Sequence, residues 1–156
     1  MLRPSVIVWL VLVSGLVVAC AHRPPQTRSQ EVDVSTAAAR YAFKLVGAPY
    51  RYGGATPQGF DCSGLVHYSF GRAGVIVPRT TREQRRSSRR LSDARVRPGD
   101  LLFFTQNGKR ASHVGLYIGD NQFVHAPSTG KSVHVSRLDN AYWRRHFVEA
   151  RRFELD

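Results

Sequence analysis

The pattern of apolar and polar residues divides the chain into a short apolar start, a polar stretch and a longer mixed region. Residues 6–18 are almost all apolar; they follow the basic residue Arg3 and lead into the small residues Ala19 and Cys20. A membrane-spanning helix needs about 20 apolar residues, so a shorter run with a basic start and a small-residue end is typical of a secretory signal. We predict a signal peptide over residues 1–19 and export of the remaining chain.

The polar stretch over residues 21–34 contains two adjacent prolines and shows no helical or strand-like periodicity. Such a segment predicts a flexible tether, which places the start of the globular part at Ser35. The predicted organisation is an N-terminal tether over 20–34 and one domain over 35–156. A domain of about 120 residues is long enough to bury its own core.

Three helices are predicted in the first half of the domain. The stretch STAAARYAFKLVG is rich in helix-forming residues, and Ser35 or Thr36 can cap it. The stretch DCSGLVHYSFGRAG has helical spacing, with Asp61 as its N-terminal cap. A shorter polar helix is predicted in RTTREQRRSS, opened by Thr80 or Thr81. The positions expected to face the core on the second helix are Leu65, Val66, Ser69 and Phe70.

The second half changes to strand-like patterns separated by turn residues. The stretches concerned are VRPGDLLFFT, SHVGLYIGDNQFVHA, KSVHVSRL and FVEARRFEL. The second of these is predicted to form a hairpin around Gly119, Asp120 and Asn121. Helices that precede a set of antiparallel strands predict an α+β fold, with the N-terminal helices packed on an antiparallel sheet.

The chain is strongly basic, with a formal net charge of +12. Such a charge raises nucleic acid as a partner, but export argues against it, and we expect no nucleic-acid binding. The charge is concentrated over residues 79–97, where eight arginines are accompanied by only Glu83 and Asp93. Two interpretations of this arginine-rich run stay open: a solvated helix face, or a contact with anionic cell wall or lipid.

The two cysteines of the chain have different surroundings. The stretch VVAC resembles the lipobox of bacterial lipoproteins, in which cleavage falls before a cysteine that becomes diacylated, and this implies a lipid on Cys20. Cys62 would then have no partner within the chain, and an odd thiol in an exported protein suggests an intermolecular disulfide or a reactive group. A zinc site on Cys62 would need more ligands at compact spacing, and simple burial in the core is the plain alternative.

Cys62 and two histidines can be combined into a nucleophilic site. Cys62 begins the second predicted helix, where the positive helix end lowers a thiol pKa and free N–H groups can hold an oxyanion. Asp61 opposes the lowering of the pKa, so we expect it to point away or bind a cation. His113, half exposed at a strand edge, is the candidate base, and His125 on the returning strand is the candidate orienter of its ring.

The hairpin decides whether the two histidines can meet, because side chains alternate between the faces of a strand. A regular two-residue turn at Asp120 and Asn121 would place His113 and His125 on opposite faces. A three-residue loop or a bulge would place them on one face as diagonal neighbours. The proposed triad therefore requires an odd loop or a bulge.

Several motifs, in order, resemble the NlpC family of papain-like cell-wall peptidases. They are GAPYRYGGATPQGFDCSGLVHYSF, RPGDLLFF, SHVGLYIGDNQFVHA and YWRRHFVEARRF, within residues 36–154. The chain looks most like the small lipoprotein murein endopeptidases of Gram-negative bacteria. The resemblance implies a papain-like α+β domain that needs no metal or cofactor.

The resemblance also implies roles for individual residues. The implied catalytic residues are the nucleophile Cys62, the base His113 and the third polar residue His125. In the same way, Tyr50 falls on the aromatic residue that lies over the nucleophile. Asp61 and Ser63, which flank the cysteine, fall on positions that help bind the amine or carboxylate of the substrate.

The implied function is hydrolysis of stem-peptide amide bonds in peptidoglycan during cell-wall growth and remodelling. The favoured bond is the D-alanyl–meso-diaminopimelate cross-link. The alternatives are the γ-D-glutamyl–meso-diaminopimelate bond within one stem and a wall-binding lipoprotein without activity. An acyltransferase is disfavoured because the permuted relatives of this fold place the histidine before the cysteine. The expected setting is a monomer held at the periplasmic face of the outer membrane by lipid, including palmitate, on Cys20.

Overall fold

The computed structural model describes residues 27–92 and 96–155. The predicted signal peptide, Cys20 and the first part of the predicted tether lie outside the described residues. The helices are α1 (Thr27–Lys44), α2 (Cys62–Arg72), α3 (Thr81–Arg86) and α4 (Ala141–His146). The strands are β1 (Ala55–Thr56), β2 (Gly59–Phe60), β3 (Ser88–Arg90), β4 (Leu101–Gln106), β5 (Lys109–Gly119), β6 (Gln122–His125), β7 (His134–Arg137) and β8 (Phe147–Phe153). None of the helices in these two ranges combines the length and the apolar character that crossing a membrane requires.

Six strands form one sheet in the order β3-β8-β4-β5-β6-β7, and β1 and β2 form a separate two-stranded ribbon. Every neighbouring pair in the larger sheet is antiparallel. The helices α1 and α2 pack on each other and on β5. This arrangement confirms the predicted α+β fold with N-terminal helices on an antiparallel sheet.

The sheet is buried on both faces at β4. Leu101 and Phe103 lie in the main core, which α2 and α1 share, whereas Leu102 and Phe104 lie in a second apolar cluster. All four side chains are fully buried, which explains why LLFF is a continuous apolar run rather than an alternating one. The second cluster packs against Trp143 of α4, a helix that the sequence patterns did not predict.

The helices α2 and α3 begin where their sequence signals predict. Asp61 caps α2, and all the positions expected to face the core are buried, namely Leu65, Val66, Ser69 and Phe70. Thr80 caps α3: its Oγ1 accepts the backbone N–H of Glu83, and its hydroxyl donates to the Glu83 carboxylate at 2.7 Å. The Thr80 side chain is thus bonded to both the backbone and the carboxylate of Glu83.

The start of α1 differs from the prediction. The helix begins at Thr27, not with a cap at Ser35 or Thr36, so residues 27–34 of the predicted tether are helical. No glycine or proline interrupts this segment, and the helix continues through it because nothing in the backbone stops it. Ser35 is buried inside the helix. Its backbone lies close to Gly99, and a Cβ added at Gly99 would collide with the Ser35 carbonyl.

The arginine-rich run is part helix and part strand. The helix α3 ends at Arg86, and β3 then pairs with β8 at the edge of the sheet. The predicted third helix is therefore shorter than its sequence pattern indicated. Its last predicted residue, Ser88, is the first residue of β3 and is buried.

Candidate active site

A tight turn holds Cys62 at the first residue of α2. The preceding residue, Asp61, has an extended backbone, and its Oδ1 accepts the backbone N–H of Gly64 at 2.6 Å. Position 64 must be glycine, because a Cβ there would lie 2.0 Å from the carbonyl oxygen of Gly54. The helix start that carries Cys62 is thus pressed against the loop before it.

A salt bridge to Arg79 holds Asp61 in turn. Two guanidinium nitrogens donate to the two carboxylate oxygens, at 2.9 and 2.7 Å, the bidentate geometry that gives arginine pairs their strength. Arg79 also donates to Ser63 Oγ and to the Gly54 carbonyl, both at 3.0 Å. The expectation that Asp61 points away or binds a cation is confirmed, and Arg79 is the cation.

Cys62 is a half-buried residue next to α3 and β5. Its Sγ lies 3.6 Å from Thr81 Oγ1, and the backbone N–H groups of Val114 and Ser63 are in hydrogen-bonding reach. Burial raises the pKa of the thiol, and these hydrogen bonds only partly oppose the rise. The predicted lowering of this pKa is therefore wrong, because burial outweighs the hydrogen bonds to the sulfur and the nearby Asp61 carboxylate adds to the rise. Cys62 is a thiol at pH 7.

A bulge in the hairpin brings His113 and His125 together. The turn between β5 and β6 has two residues, with φ values of 49° and 57°, as a primed hairpin turn requires. A register shift then occurs in β5 between Tyr117 and Gly119. It places both histidines on one face, where their ring centroids are 5.1 Å apart. The bulge that the triad required is present.

The two histidines form a directed chain of hydrogen bonds. Nε2 of His113 lies 3.0 Å from Nδ1 of His125, and Nε2 of His125 lies 3.0 Å from Ser136 Oγ. When each Nε2–H donates onward along this chain, Nδ1 of His113 keeps a lone pair for Cys62. The geometry is that of a base and its orienter.

Both histidines are buried, which corrects the expectation of a half-exposed His113 at a strand edge. His113 is 1% exposed and His125 is 0% exposed, because β5 begins four residues before His113 and Trp143 stacks on its ring at a centroid distance of 5.8 Å. Burial lowers the pKa of His113 to about 4 and that of His125 to about 2. Both rings are neutral at pH 7, the state that a base requires.

Cys62 and His113 line one cleft with a volume of about 630 Å³. The predicted site residues that line this cleft are Tyr50, Asp61, Cys62, Ser63 and His113. His125 is not part of the wall; it lies behind His113 and contacts it directly. The structure thus gathers the predicted side chains at one place, five on the surface of the cleft and one beneath it.

Comparison with known proteins identifies the family of the chain that carries this cleft. A model of the NlpC/P60 family matches residues 47–152 of the chain. The chain belongs to the NlpC/P60 family. It is 41% identical over 150 residues to the probable endopeptidase NlpC of Escherichia coli strain K12. The aligned region covers 92% of this chain and 97% of that protein.

Other NlpC/P60 relatives are longer than the part they share with this chain. Murein DD-endopeptidase MepS/Murein LD-carboxypeptidase of Escherichia coli strain K12 is 45% identical over 107 residues, 68% of this chain and 56% of that protein. The bifunctional muramidase/DL-endopeptidase CwlT of Bacillus subtilis strain 168 is 43% identical over 69% of this chain, but only 33% of that protein is matched. Among solved structures, the peptidoglycan hydrolase RipB of Mycobacterium tuberculosis superposes with a TM-score of 0.68 at 29% identity, over 83% of this chain and 69% of that chain.

Membership of the NlpC/P60 family confirms the predicted enzyme class, a cysteine-type endopeptidase. Within residues 27–92 and 96–155 of this NlpC/P60 chain, no three histidine, cysteine, aspartate or glutamate side chains are grouped to hold a metal ion. The structure adds two residues that sequence patterns did not single out, Ser136 behind His125 and Trp143 over His113. A lone serine in a short strand and a tryptophan after a turn carry no signal of their own.

Proposed function

We propose that this NlpC/P60 protein hydrolyses amide bonds of peptidoglycan stem peptides, with Cys62 as nucleophile, His113 as base and His125 as the orienter of His113. One observation carries the proposal: Cys62 and His113 line the same cleft, and Nδ1 of His125 lies 3.0 Å from Nε2 of His113. A thiol, a neutral base and an orienter in this order support acyl transfer through a covalent intermediate.

The first half of the reaction transfers an acyl group to Cys62. Nδ1 of His113 takes the thiol proton as the sulfur bonds to the carbonyl carbon of the scissile amide. The oxyanion accepts hydrogen bonds from backbone N–H groups at the start of α2. The tetrahedral intermediate collapses, the C–N bond breaks, and His113 gives the proton to the departing amine.

The second half releases the acyl group to water. His113 takes a proton from a water molecule whose oxygen attacks the thioester carbonyl. The C–S bond breaks, the sulfur takes the proton back, and a carboxylic acid leaves the cleft. In each half His113 is transiently charged, and Nδ1 of His125 stabilises that charge by accepting the Nε2–H of His113.

The favoured bond is the D-alanyl–meso-diaminopimelate cross-link. Support comes from two relatives of Escherichia coli, MepH and MepS, that are named murein DD-endopeptidases. The γ-D-glutamyl–meso-diaminopimelate bond within one stem is the second candidate. Its support is CwlT, which is named a DL-endopeptidase, a term that fits a bond from a D-residue to an L-centre.

Product analysis separates these two bonds. The full chain, purified in detergent, is incubated with cross-linked muropeptide dimers and with tetrapeptide monomers, and the products are read by mass spectrometry. Cleavage of the cross-link yields monomeric tetrapeptides from dimers, whereas the γ-D-glutamyl cut removes the last two residues of a tetrapeptide. Cys62→Ala should give neither product. If wild-type protein leaves both substrates intact but still binds sacculi, the enzyme interpretation is wrong and a wall-binding lipoprotein without activity takes its place.

The proposed location is the periplasmic face of the outer membrane, with the protein held as a monomer by lipid on Cys20. The VVAC motif supports the lipid on Cys20, and Ala21 rather than aspartate after the cysteine supports the outer membrane. Metabolic labelling with palmitate, followed by separation of inner and outer membranes, tests it. Wild-type protein should carry the label and sediment with the outer membrane, and Cys20→Ser should lose both properties. Unlabelled wild-type protein in the soluble periplasmic fraction would contradict the anchor.

A further inference from the structure

Among the residues that the structure describes, the charged side chains that line the cleft are two arginines, Arg79 and Arg82, and one carboxylate, Asp61. The carboxylate is fully occupied by the protein itself. Its Oδ1 accepts from Gly64 N–H, from Ser63 Oγ–H and from Arg79, and its Oδ2 accepts from Gly53 N–H and from the second nitrogen of Arg79. A carboxylate that already accepts five hydrogen bonds has no strong site left for an amine of the substrate.

The guanidinium of Arg79 is also already paired within the protein. Its guanidinium forms the bidentate pair with Asp61 and donates further to Ser63 and to the Gly54 carbonyl. Asp61 balances its charge, so this part of the wall is close to neutral. Arg79 therefore serves to hold the loop and the helix start together.

Arg82 is the arginine of α3 that lines the cleft. It is exposed on the first turn of α3, directly after Thr81, whose hydroxyl touches the Cys62 sulfur. Within the described ranges of the chain it forms no hydrogen bond or ion pair. Among the arginines that follow it, Arg85 pairs with Glu149 and Arg89 pairs with Glu154. Arg86 has no such partner in the described ranges either, but it does not line the cleft. The cleft therefore carries one uncompensated positive charge, one residue along the chain from a neighbour of the nucleophile.

We propose that Arg82 is a specificity-determining residue that binds a free carboxylate of the stem peptide beside the scissile amide. This inference rests on the proposed function, because it names the group that the same cleft recognises. A guanidinium fork matches a carboxylate in a bidentate pair, and an amide in place of the carboxylate keeps neither the charge nor the geometry. The enzyme should thus distinguish stem peptides with a free carboxylate from those in which that carboxylate is amidated.

The test compares two variants on matched substrates. Synthetic stem peptides are prepared with all carboxylates free, and with each one amidated in turn. Arg82→Gln should lower kcat/KM on the free substrate by roughly threefold to tenfold, the effect of losing one partly exposed charged hydrogen bond. For the one amidated substrate that lacks the recognised carboxylate, wild type and Arg82→Gln should have equal kcat/KM.

Arg86→Gln is the matched control. Arg86 lies one turn further along α3, is also exposed, and is not among the described residues that line the cleft. It should change kcat/KM by less than about twofold on every substrate, since exposed charges outside a contact have small effects. Equal responses of wild type and Arg82→Gln to amidation at every carboxylate would overturn the proposal.

A binding measurement keeps this inference separate from the proposed function. In full-length Cys62→Ala, calorimetry with the free and amidated peptides needs no turnover. Weaker binding of the free peptide on adding Arg82→Gln, with partial rescue by Arg82→Lys, would support the carboxylate contact even if wild type cleaved nothing. Cleavage by wild type with binding that is insensitive to Arg82 would refute the inference and leave the proposed function standing. No binding of any free peptide would also refute it.

Discussion

At the scale of single residues, burial sets the protonation states on which the chemistry depends. Removal from water raises the pKa of the Cys62 thiol and lowers the pKa values of His113 and His125 to about 4 and about 2. Each shift favours the neutral form of its group. The free protein therefore holds a neutral thiol beside a neutral imidazole, and charge separates only during the reaction.

The acid limb of kcat/KM should lie near pH 4 rather than near 6.5. The pKa of His113 falls from 6.5 to about 4, so the base stays neutral as the pH drops below 6.5 and is lost only on protonation near 4. Stability moves in the same range: below 6.5 the unfolded chain binds protons that the buried histidines cannot, so the free energy of unfolding falls toward pH 4. Turnover of a muropeptide, measured where circular dichroism shows folded protein, checks this. A limb centred near 6.5 would mean that water reaches His113.

His125→Ala should lower kcat by roughly 100-fold or more while KM changes little, because the ring of His113 loses its orienter. His125→Asn keeps an acceptor for the Nε2–H of His113 and should recover part of the loss. Ser136→Ala, which removes the partner of His125, should cost less than His125→Ala. Thermal melts of all three variants separate folding from catalysis. Equal kcat for the alanine and asparagine variants would show that His125 does not orient the base.

The three proposed catalytic residues could be singled out from the sequence, because their motifs and their order along the chain resemble one family. The contacts of Ser136 and Trp143 could not, because each depends on how a distant segment folds back over the histidines. The same limit explains the wrong exposure predicted for His113. Its burial comes from Trp143 on α4, and no pattern in the sequence predicted that helix.

At the scale of elements, the start of α2 is the part of the fold that fixes Cys62, the proposed nucleophile. Gly64 lets the first turn of the helix approach the carbonyl of Gly54, and Asp61 ties the turn to Arg79. The motif DCSG therefore has a structural role in addition to its proposed chemical role. The aspartate caps the helix, the cysteine leads it, and the glycine allows the close contact.

Gly64→Ala should destabilise the protein by about 1–3 kcal/mol and reduce kcat, because its Cβ would lie 2.0 Å from the Gly54 carbonyl oxygen and must displace the helix start. Gly71→Ala, in the same helix, is the control. A Cβ at Gly71 meets nothing within 4 Å, and alanine should stabilise the helix by up to about 0.5–1 kcal/mol. Chemical denaturation measures both effects. Similar stabilities for the two variants would contradict the close contact.

The hairpin shows how far pattern can predict an element. Alternation along HVGLYI and QFVHA predicted both strands and showed that the histidines share a face only with an odd loop or a bulge. Both solutions satisfy the same parity, so the sequence could not choose between them. The structure uses a bulge between Tyr117 and Gly119. The start of α1 was misplaced for a related reason, because a polar segment without a breaker is compatible with both helix and tether.

At the scale of the whole molecule, part of the basic charge links α3 and β3 to the neighbouring strand β8. Glu149 of β8 is 5% exposed, and three arginines contact its carboxylate: Arg85, Arg90 and Arg151. Neither of the two interpretations of the arginine-rich run foresaw this arrangement. The sequence shows how much charge the run carries, but its partners in β8 lie more than 50 residues along the chain.

Glu149→Gln should lower the free energy of unfolding by about 2 kcal/mol, because several arginines would lose their shared counter-charge in a partly buried setting. Glu154→Gln is the matched control, since Glu154 forms an exposed pair with Arg89. Exposed pairs contribute little, so this variant should stay within about 0.5 kcal/mol of wild type. Denaturation in low salt measures both. A Glu149→Gln protein as stable as the control would contradict a structural role for the buried carboxylate.

The central claim is that Cys62 carries the acyl group of the stem peptide during turnover. Wild-type protein mixed with cross-linked muropeptides and quenched in acid within the first turnover should show, by intact mass spectrometry, an adduct equal to the acyl half of the substrate. Peptide mapping should place the adduct on Cys62, and Cys62→Ala should form neither adduct nor product. Product formation by Cys62→Ala at the wild-type rate, with no adduct on either protein, would contradict the account.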